Sequence, residues 1–110
     1  HQDSHPDASN NGTNTIYYSS DKMSEKEVAS EKAAQVIQVN LMKHLDTQDR
    51  GTNQAKFRML SDTQVPSIIT NIGYLSNESD RELLLNPDFQ QKGALALHDG
   101  ITEVLAEMSK

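Results

Sequence analysis

Histidine is the residue type in this chain best suited to binding a metal or moving a proton, because the sequence has four histidines and no cysteine. His5 is followed by Pro6, which disfavours a helix that would set His1 and His5 on one face, so His5 is predicted to lie in a solvated loop. His44 and His98 fall in predicted helices, where a structural role is the simpler interpretation. His1 is therefore the candidate metal ligand, although residue type alone marks it only as a polar terminal residue.

Three further residues are candidates for binding or catalysis, and each has a structural alternative. Asn71 ends a β-branched segment that follows Pro66. It is either a hydrogen-bonding residue of a site or a strand-end asparagine that pairs with nearby backbone. Arg50 precedes Gly51 and either contacts a substrate or shapes a turn, and Tyr74 either lies in the same cleft or packs in the core.

Helices and strands alternate in the predicted structure. Ser24 and Glu27 have the spacing of a capping box, and apolar residues at three- and four-residue spacing predict a helix over 24–45. Asn86 before Pro87 predicts the start of a second long helix, which ends near Met108. Strands are predicted over 15–18, 57–60 and 67–72, a short helix capped by Ser79 or Asp80, and polar loops over 1–14 and 46–53. This alternation indicates an α/β layer structure.

The composition limits the class of partner. The net charge is −6, and no basic stripe is visible, which argues against nucleic acid as the main partner. No apolar run approaches the ~20 residues that a membrane helix needs. We therefore predict a single domain over 1–110 that is a monomer without a membrane segment. The sequence shows no signal peptide, and any export signal is expected to precede His1.

Several segments, in a fixed order, resemble the N-acetylmuramoyl-L-alanine amidase family. The family's Ser-Ile-His-x-Asn/Asp-Ala/Ser motif is similar to this chain from His1 onward, and its Pro-Ala/Ser-Val-Leu-Val-Glu-x-Gly-Phe/Tyr-x-Ser-Asn signature is similar to the segment that follows Val65. The matching segments are HQDS at 1–4, GTNTIYYS at 12–19, DRG at 49–51, VPSIITNIGYLSN at 65–77 and ALALHDGI at 94–101. The resemblance thus extends from His1 to about Ile101.

The resemblance implies a zinc site and a general acid/base. His1 would be one zinc ligand, and the other two, a histidine and a glutamate, are expected upstream of it. Asn71 occupies the position of the family's catalytic glutamate, and asparagine cannot titrate. Arg50 and Tyr74 are the implied substrate-binding residues.

The implied fold is a mixed, mostly parallel sheet flanked by helices, of which this chain carries the later strands. The implied function is a secreted or cell-wall peptidoglycan hydrolase that uses zinc-activated water to cleave the amide between N-acetylmuramic acid and L-alanine. Because Asn71 replaces the glutamate, the alternative is a catalytically impaired relative that binds peptidoglycan or regulates another hydrolase. A third alternative retains slow turnover without that carboxylate.

Overall fold

The computed structural model describes residues 1–109 as a mixed sheet with two long helices stacked on one of its faces. The elements are β1 (Thr13–Tyr17), α1 (Glu25–His44), β2 (Asp49–Gln54), α2 (Arg58–Ser61), β3 (Ile69–Asn71), α3 (Glu78–Leu84) and α4 (Pro87–Met108). Helix α1 packs on β1 and β2, and α4 packs on the outer side of α1. An α/β structure with a sheet flanked by helices is therefore confirmed.

The three strands lie in the order β2-β1-β3. β1 pairs parallel with β2 and antiparallel with β3. The mixed character of the predicted sheet is confirmed, but one parallel and one antiparallel pair do not confirm a mostly parallel sheet.

The first residues of the chain add a short extended segment to the free edge of β3. The amide of Ile72 donates to the His1 carbonyl at 3.0 Å, and the amide of Asp3 donates to the Gly73 carbonyl at 3.0 Å. Asp3 and Tyr74 form a parallel bridge. Within the predicted polar loop over 1–14, the irregular part is thus confined to the residues between this bridge and Thr13.

Helix α1 begins as its sequence predicts. The Ser24 hydroxyl accepts the Glu27 amide, and the Glu27 carboxylate accepts the Ser24 amide, which completes the capping box. The core lies between α1, α3 and α4, and each large apolar side chain fully buried there contributes about 1.5–3 kcal/mol. Its buried members are Ile37, Leu41, Leu45, Leu84, Phe89 and Ala96.

A glycine allows α1 and α4 to approach closely. A Cβ at Gly100 would lie 2.7 Å from Ile37 Cδ1 and 3.5 Å from Asn40 Cβ. Neither helix is a membrane candidate, and no other helix in the part of the chain that the structure describes has the length and apolarity to cross a bilayer.

Three predictions of local structure are wrong. The polar stretch predicted as a loop contains β2, an exposed strand that pairs along the edge of β1. The apolar run predicted as a strand over 57–60 instead leads into the short helix α2, capped at Phe57. Helix α3 is capped by Asn77, whose side chain accepts the Asp80 amide at 3.0 Å, and not by Ser79 or Asp80.

Candidate functional site

The long helices α1 and α4 lie on one face of the sheet, and the short helix α2 borders the other. Thr15 on β1 points to the covered face, where its hydroxyl donates to Gln38 on α1 at 3.0 Å. Since side chains alternate along a strand, Asn14 and Ile16 point to the opposite face. We call this second side the open face.

A cavity of about 340 Å³ lies on the open face. It brings together two residues that are distant in sequence, His1 and Asn71. The complete lining is His1, Asp3, Ile16, Phe57, Met59, Ile69 and Asn71. The cavity therefore combines one imidazole, one carboxylate and one carboxamide with apolar walls.

Strand pairing places His1 beside Asn71. The backbone nitrogen of His1 donates to the Thr70 carbonyl at 2.9 Å, and the His1 carbonyl accepts from the Ile72 amide. These two contacts flank Asn71 on the neighbouring strand. His1 and Asp3 are alternate residues of the extended segment, so both side chains reach the open face.

Asn71 is buried without a hydrogen-bonding partner among residues 1–109. Its side chain is 1% exposed, and neither its Nδ2 nor its Oδ1 forms a hydrogen bond. Leaving a buried polar group unpaired costs about 1–3 kcal/mol. This cost means that the Asn71 side chain does not stabilise the fold through hydrogen bonds.

Asn14 shares this property in part. It lies directly across from Asn71 in the antiparallel register of β1 and β3. Its Nδ2 donates to Asn53 Oδ1 at 2.7 Å, whereas its own buried Oδ1 accepts nothing. The two asparagines are thus neighbours on the open face with three unpaired polar atoms between them.

A buried carboxylate fixes the backbone on either side of this pair. Asp80 Oδ2 accepts the Gly12 amide at 2.9 Å and the Tyr74 amide at 3.0 Å. The first contact lies just before β1, and the second lies just after β3. The sequence placed Asp80 only as a helix cap, because nothing local in the chain signals contacts across such a distance.

Arg50 and Tyr74 meet each other and not the cavity. The Arg50 guanidinium carbon lies 5.7 Å from the centroid of the Tyr74 ring, a cation–π contact. Arg50 Nη1 also donates to the Asn11 carbonyl at 3.2 Å. Tyr74 is 7% exposed, and neither residue is among those lining the cavity. Their predicted role in substrate binding stays a prediction.

One lysine holds the apolar rim of the cavity. Lys26 on α1 donates to the carbonyls of Leu60, Ser61 and Thr63 at 3.2, 3.1 and 2.8 Å. These carbonyls belong to the end of α2 and the turn after it. That segment follows Phe57 and Met59, two exposed side chains of the cavity wall. Lys26 therefore connects the helix layer to the rim.

The other three histidines lie away from the cavity. His5 Nδ1 accepts the Asp7 amide at 3.0 Å in the exposed loop, and the Ser9 hydroxyl lowers the pKa of Asp7. His98 and His44 contact Asp99 at 3.3 and 3.1 Å. These contacts, with His98 first, lower the pKa of Asp99.

The donor groups at the cavity meet only part of the needs of a zinc site. Catalytic zinc takes three protein ligands and one open position. His1 and Asp3 offer an imidazole and a carboxylate, but residues 1–109 contain no group of three His, Cys, Asp or Glu side chains that could hold a metal. The described residues therefore do not form a complete zinc site by themselves.

Sequence reasoning missed most of the cavity wall. The sequence predicts Ile16 and Phe57 as strand residues without a site, and it does not single out Asn14, which lies beside Asn71 just outside the lining. The one available signal was Asn14 itself, because asparagine is depleted inside strands. No sequence pattern indicates that α2 contributes Met59 to the cavity wall, because its segment is predicted as a strand.

Comparison with known proteins matches nearly the whole chain. A family profile for N-acetylmuramoyl-L-alanine amidase covers residues 1–103. YqiI of Bacillus subtilis is 37% identical over 94 residues, which are 86% of this chain and 44% of that protein. The N-acetylmuramoyl-L-alanine amidase LytC of the same organism is 30% identical over 100 residues, 91% of this chain and 19% of that protein.

The fold agrees with the sequence matches. The catalytic domain of the N-acetylmuramoyl-L-alanine amidase CwlV from Bacillus (Paenibacillus) polymyxa superposes with a TM-score of 0.84 at 32% identity. The match covers 96% of this chain and 55% of that domain, so the chain spans about half the length of the structure it resembles. On the profile, the relatives and the fold, the chain belongs to the N-acetylmuramoyl-L-alanine amidase family.

Proposed function

We propose that this chain takes part in zinc-dependent hydrolysis of the amide between N-acetylmuramic acid and L-alanine in peptidoglycan. The observation that carries the proposal is the cavity on the open face, where His1 and Asn71 lie on paired segments. These are the two positions at which the chain resembles the family's zinc ligand and its catalytic glutamate. Relatives named as cell wall amidases support action at the cell wall or outside the cell.

Zinc would supply what this chain's side chains lack. When bound, zinc lowers the pKa of a coordinated water to ~7 and polarises a carbonyl. His1 would serve as one neutral imidazole ligand. The proposal requires at least two further ligands that residues 1–109 do not supply.

The cavity residues suit a substrate that is uncharged and partly apolar. Ile16, Ile69 and Met59 give apolar walls, and the Asn71 carboxamide can donate or accept a hydrogen bond. Asn71 cannot take a proton from a nucleophile or return one to a leaving amine. Turnover by general acid/base catalysis at this position is therefore not expected from the side chain present.

Asn71 favours a second candidate function, that of a catalytically impaired relative that holds peptidoglycan. Its carboxamide is buried at the cavity with both polar atoms unpaired, which suits binding better than proton transfer. The two candidates share a substrate and differ in whether the amide is broken.

A dye-release assay on labelled peptidoglycan separates the two candidates. The assay uses the whole protein that carries this chain, with zinc, and compares the native sequence with Asn71→Glu. General acid/base catalysis contributes roughly 10²–10⁴-fold, so Asn71→Glu should raise release by about that factor. Gln91→Glu is the control, because it adds the same charge at an exposed position on α4, on the helix side of the sheet, and should change nothing.

Zinc binding tests the metal part of the proposal. His1→Ala should weaken zinc affinity about tenfold or more, while His5→Ala in the exposed loop should leave it unchanged. Equal affinity in both variants would remove His1 from the metal site. Full native turnover that is indifferent to Asn71→Ala would refute the impaired-relative candidate.

A further inference from the structure

The buried polar side chains of this protein are well paired except at the open face. Gln38 donates to the Thr13 carbonyl at 2.8 Å and to Asp49 Oδ1 at 2.9 Å. Asn40 donates to the Val36 carbonyl and to Glu103, both at 2.9 Å. Among residues 1–109, the buried side-chain atoms without a partner belong to Asn71 and Asn14.

We propose that Asn71, which lines the cavity, and its cross-strand neighbour Asn14, which lies just outside the lining, form a subsite that binds an amide group of the ligand by hydrogen bonds. The inference rests on the proposed function, because it takes the ligand to be a peptidoglycan fragment, and it assigns this pair a recognition role. More than about 90% of buried polar groups in proteins are paired. Three unpaired atoms on adjacent strands are therefore the expected state of a binding site whose partner is the ligand.

The register of the strands sets the shape of this subsite. Residues directly opposite in an antiparallel pair have Cβ atoms about 4.5–5.5 Å apart on the same face. Asn71 thus offers one donor and one acceptor, and Asn14 adds a second acceptor beside them. An extended peptide presents the N–H and C=O of one residue on the same side, so the Asn71 carboxamide can bond both, as a neighbouring strand would.

The rest of the cavity favours N–H groups and a small apolar group beside the amide. Asp3 contributes a carboxylate to the lining and Asn71 an unpaired Oδ1, while the unpaired Oδ1 of Asn14 lies beside them outside the lining. This excess of acceptor oxygens calls for a ligand that carries N–H groups. Ile16 and Ile69 lie beside them and provide an apolar surface suited to a methyl group.

Two sources can supply the amide, namely the stem peptide and the N-acetyl group of the sugar. A nitrogen-15 NMR titration of the protein with three probes distinguishes them: N-acetylmuramoyl-L-alanyl-D-isoglutamine, the free dipeptide, and N-acetylmuramic acid. Side-chain amide resonances of Asn71 and Asn14, assigned by their loss in single variants, should shift with the first probe. Equal shifts with the dipeptide assign the amide to the peptide, and equal shifts with the sugar assign it to the N-acetyl group.

The variants Asn71→Leu and Asn40→Leu form a matched pair of buried asparagines. Asn71→Leu removes an unpaired amide, so it should raise Tm by about 4–8 °C and weaken binding about tenfold or more. Asn40→Leu removes a paired amide far along α1, so it should lower Tm and leave the affinity unchanged. A rise in stability with a loss of binding is a result that a purely structural asparagine cannot give.

Four outcomes overturn the inference, and they separate it from the proposed function. Ligand-induced shifts elsewhere with unmoved Asn71 and Asn14 resonances would refute the subsite alone. A fall in Tm for Asn71→Leu, or unchanged affinity in that variant, would do the same. Shifts of the Asn71 side chain with zinc but with none of the three probes would assign it to the metal site. Absence of any shift with any probe would refute the proposed substrate as well.

Discussion

Gly12 and Gly51 are the residues with positive φ in the part of the chain that the structure describes, and their surroundings differ. Gly12 has φ of 107°, and an added Cβ would meet the Gln48 carbonyl oxygen at 2.5 Å. Gly51 has φ of 72°, and an added Cβ would meet nothing within 4 Å. Both glycines adopt a backbone conformation with positive φ that disfavours other residues. Of the two, Gly12 also allows its segment to pass close to the backbone of Gln48.

Alanine at these two glycines should therefore destabilise the fold unequally. Gly51→Ala should cost about 1–2 kcal/mol of unfolding free energy, the penalty of the left-handed conformation. Gly12→Ala should cost at least 1 kcal/mol more than Gly51→Ala, because the backbone of Gln48 must also shift. Urea denaturation measures both values, and equal losses would contradict the close approach at Gly12.

The predictability of the site also depends on individual residues. Asn71 could be singled out from sequence because it ends an apolar segment inside a recognisable motif. Its proximity to His1 could not, since that follows from hydrogen bonds across 70 positions of the chain. Asn14 is a candidate site residue only because it pairs with Asn71 across β1 and β3. No local sequence pattern predicts that register.

Secondary-structure elements were predictable where their ends carry side-chain signals. The capping box at Ser24 and the Asn86-Pro87 start located α1 and α4 correctly. Strand β2 has no apolar alternation, because it is an exposed edge strand held by β1. Helix α2 has no side-chain cap and only four residues, so its apolar run was indistinguishable from a strand.

The capping box of α1 should make stability depend on pH. Hydrogen bonds from Ser24 and then Ser20 lower the pKa of Glu27 to about 2 from its ordinary value of 4.5. Stabilisation by the ionised carboxylate is thus fully present above pH 4.5 and is lost as the pH falls toward 2. Glu27→Gln should be less stable than the native protein at pH 7, and this difference should shrink across that window.

Urea midpoints at several pH values test this dependence. Glu25→Gln is the control, because Glu25 is an exposed acidic residue in the same helical turn. Its effect should be small and should vary little with pH. A pH-independent loss in Glu27→Gln would show that the carboxylate charge is not what stabilises the cap.

The molecule as a whole keeps its core and its candidate site on opposite sides of one sheet. Ile37, Leu41 and Ala96 are buried between the helices on the covered side of the sheet, while the cavity occupies the open face. Substitutions on the helix side should therefore change stability with little direct effect on ligand contacts.

Two substitutions on α1 test this division. Leu41→Ala, at a side chain that is 0% exposed, should cost about 2–5 kcal/mol of unfolding free energy. Val39→Ala, at a side chain that is 55% exposed, should change it by less than about 0.5 kcal/mol. Chemical denaturation gives both values, and a small loss at Leu41 would contradict a core centred on α1.

The amine of Lys26, held by the carbonyls of Leu60, Ser61 and Thr63, gives the cavity rim a chemical reporter. An acylating reagent needs that nitrogen neutral and released, so it can label Lys26 only when the turn detaches from the helix. Mass spectrometry gives the rate at which Lys26 is labelled relative to the exposed Lys32. That ratio would therefore report how often the cavity rim opens. A ligand that contacts Phe57 or Met59 should lower the labelling rate of Lys26 without contacting the lysine itself.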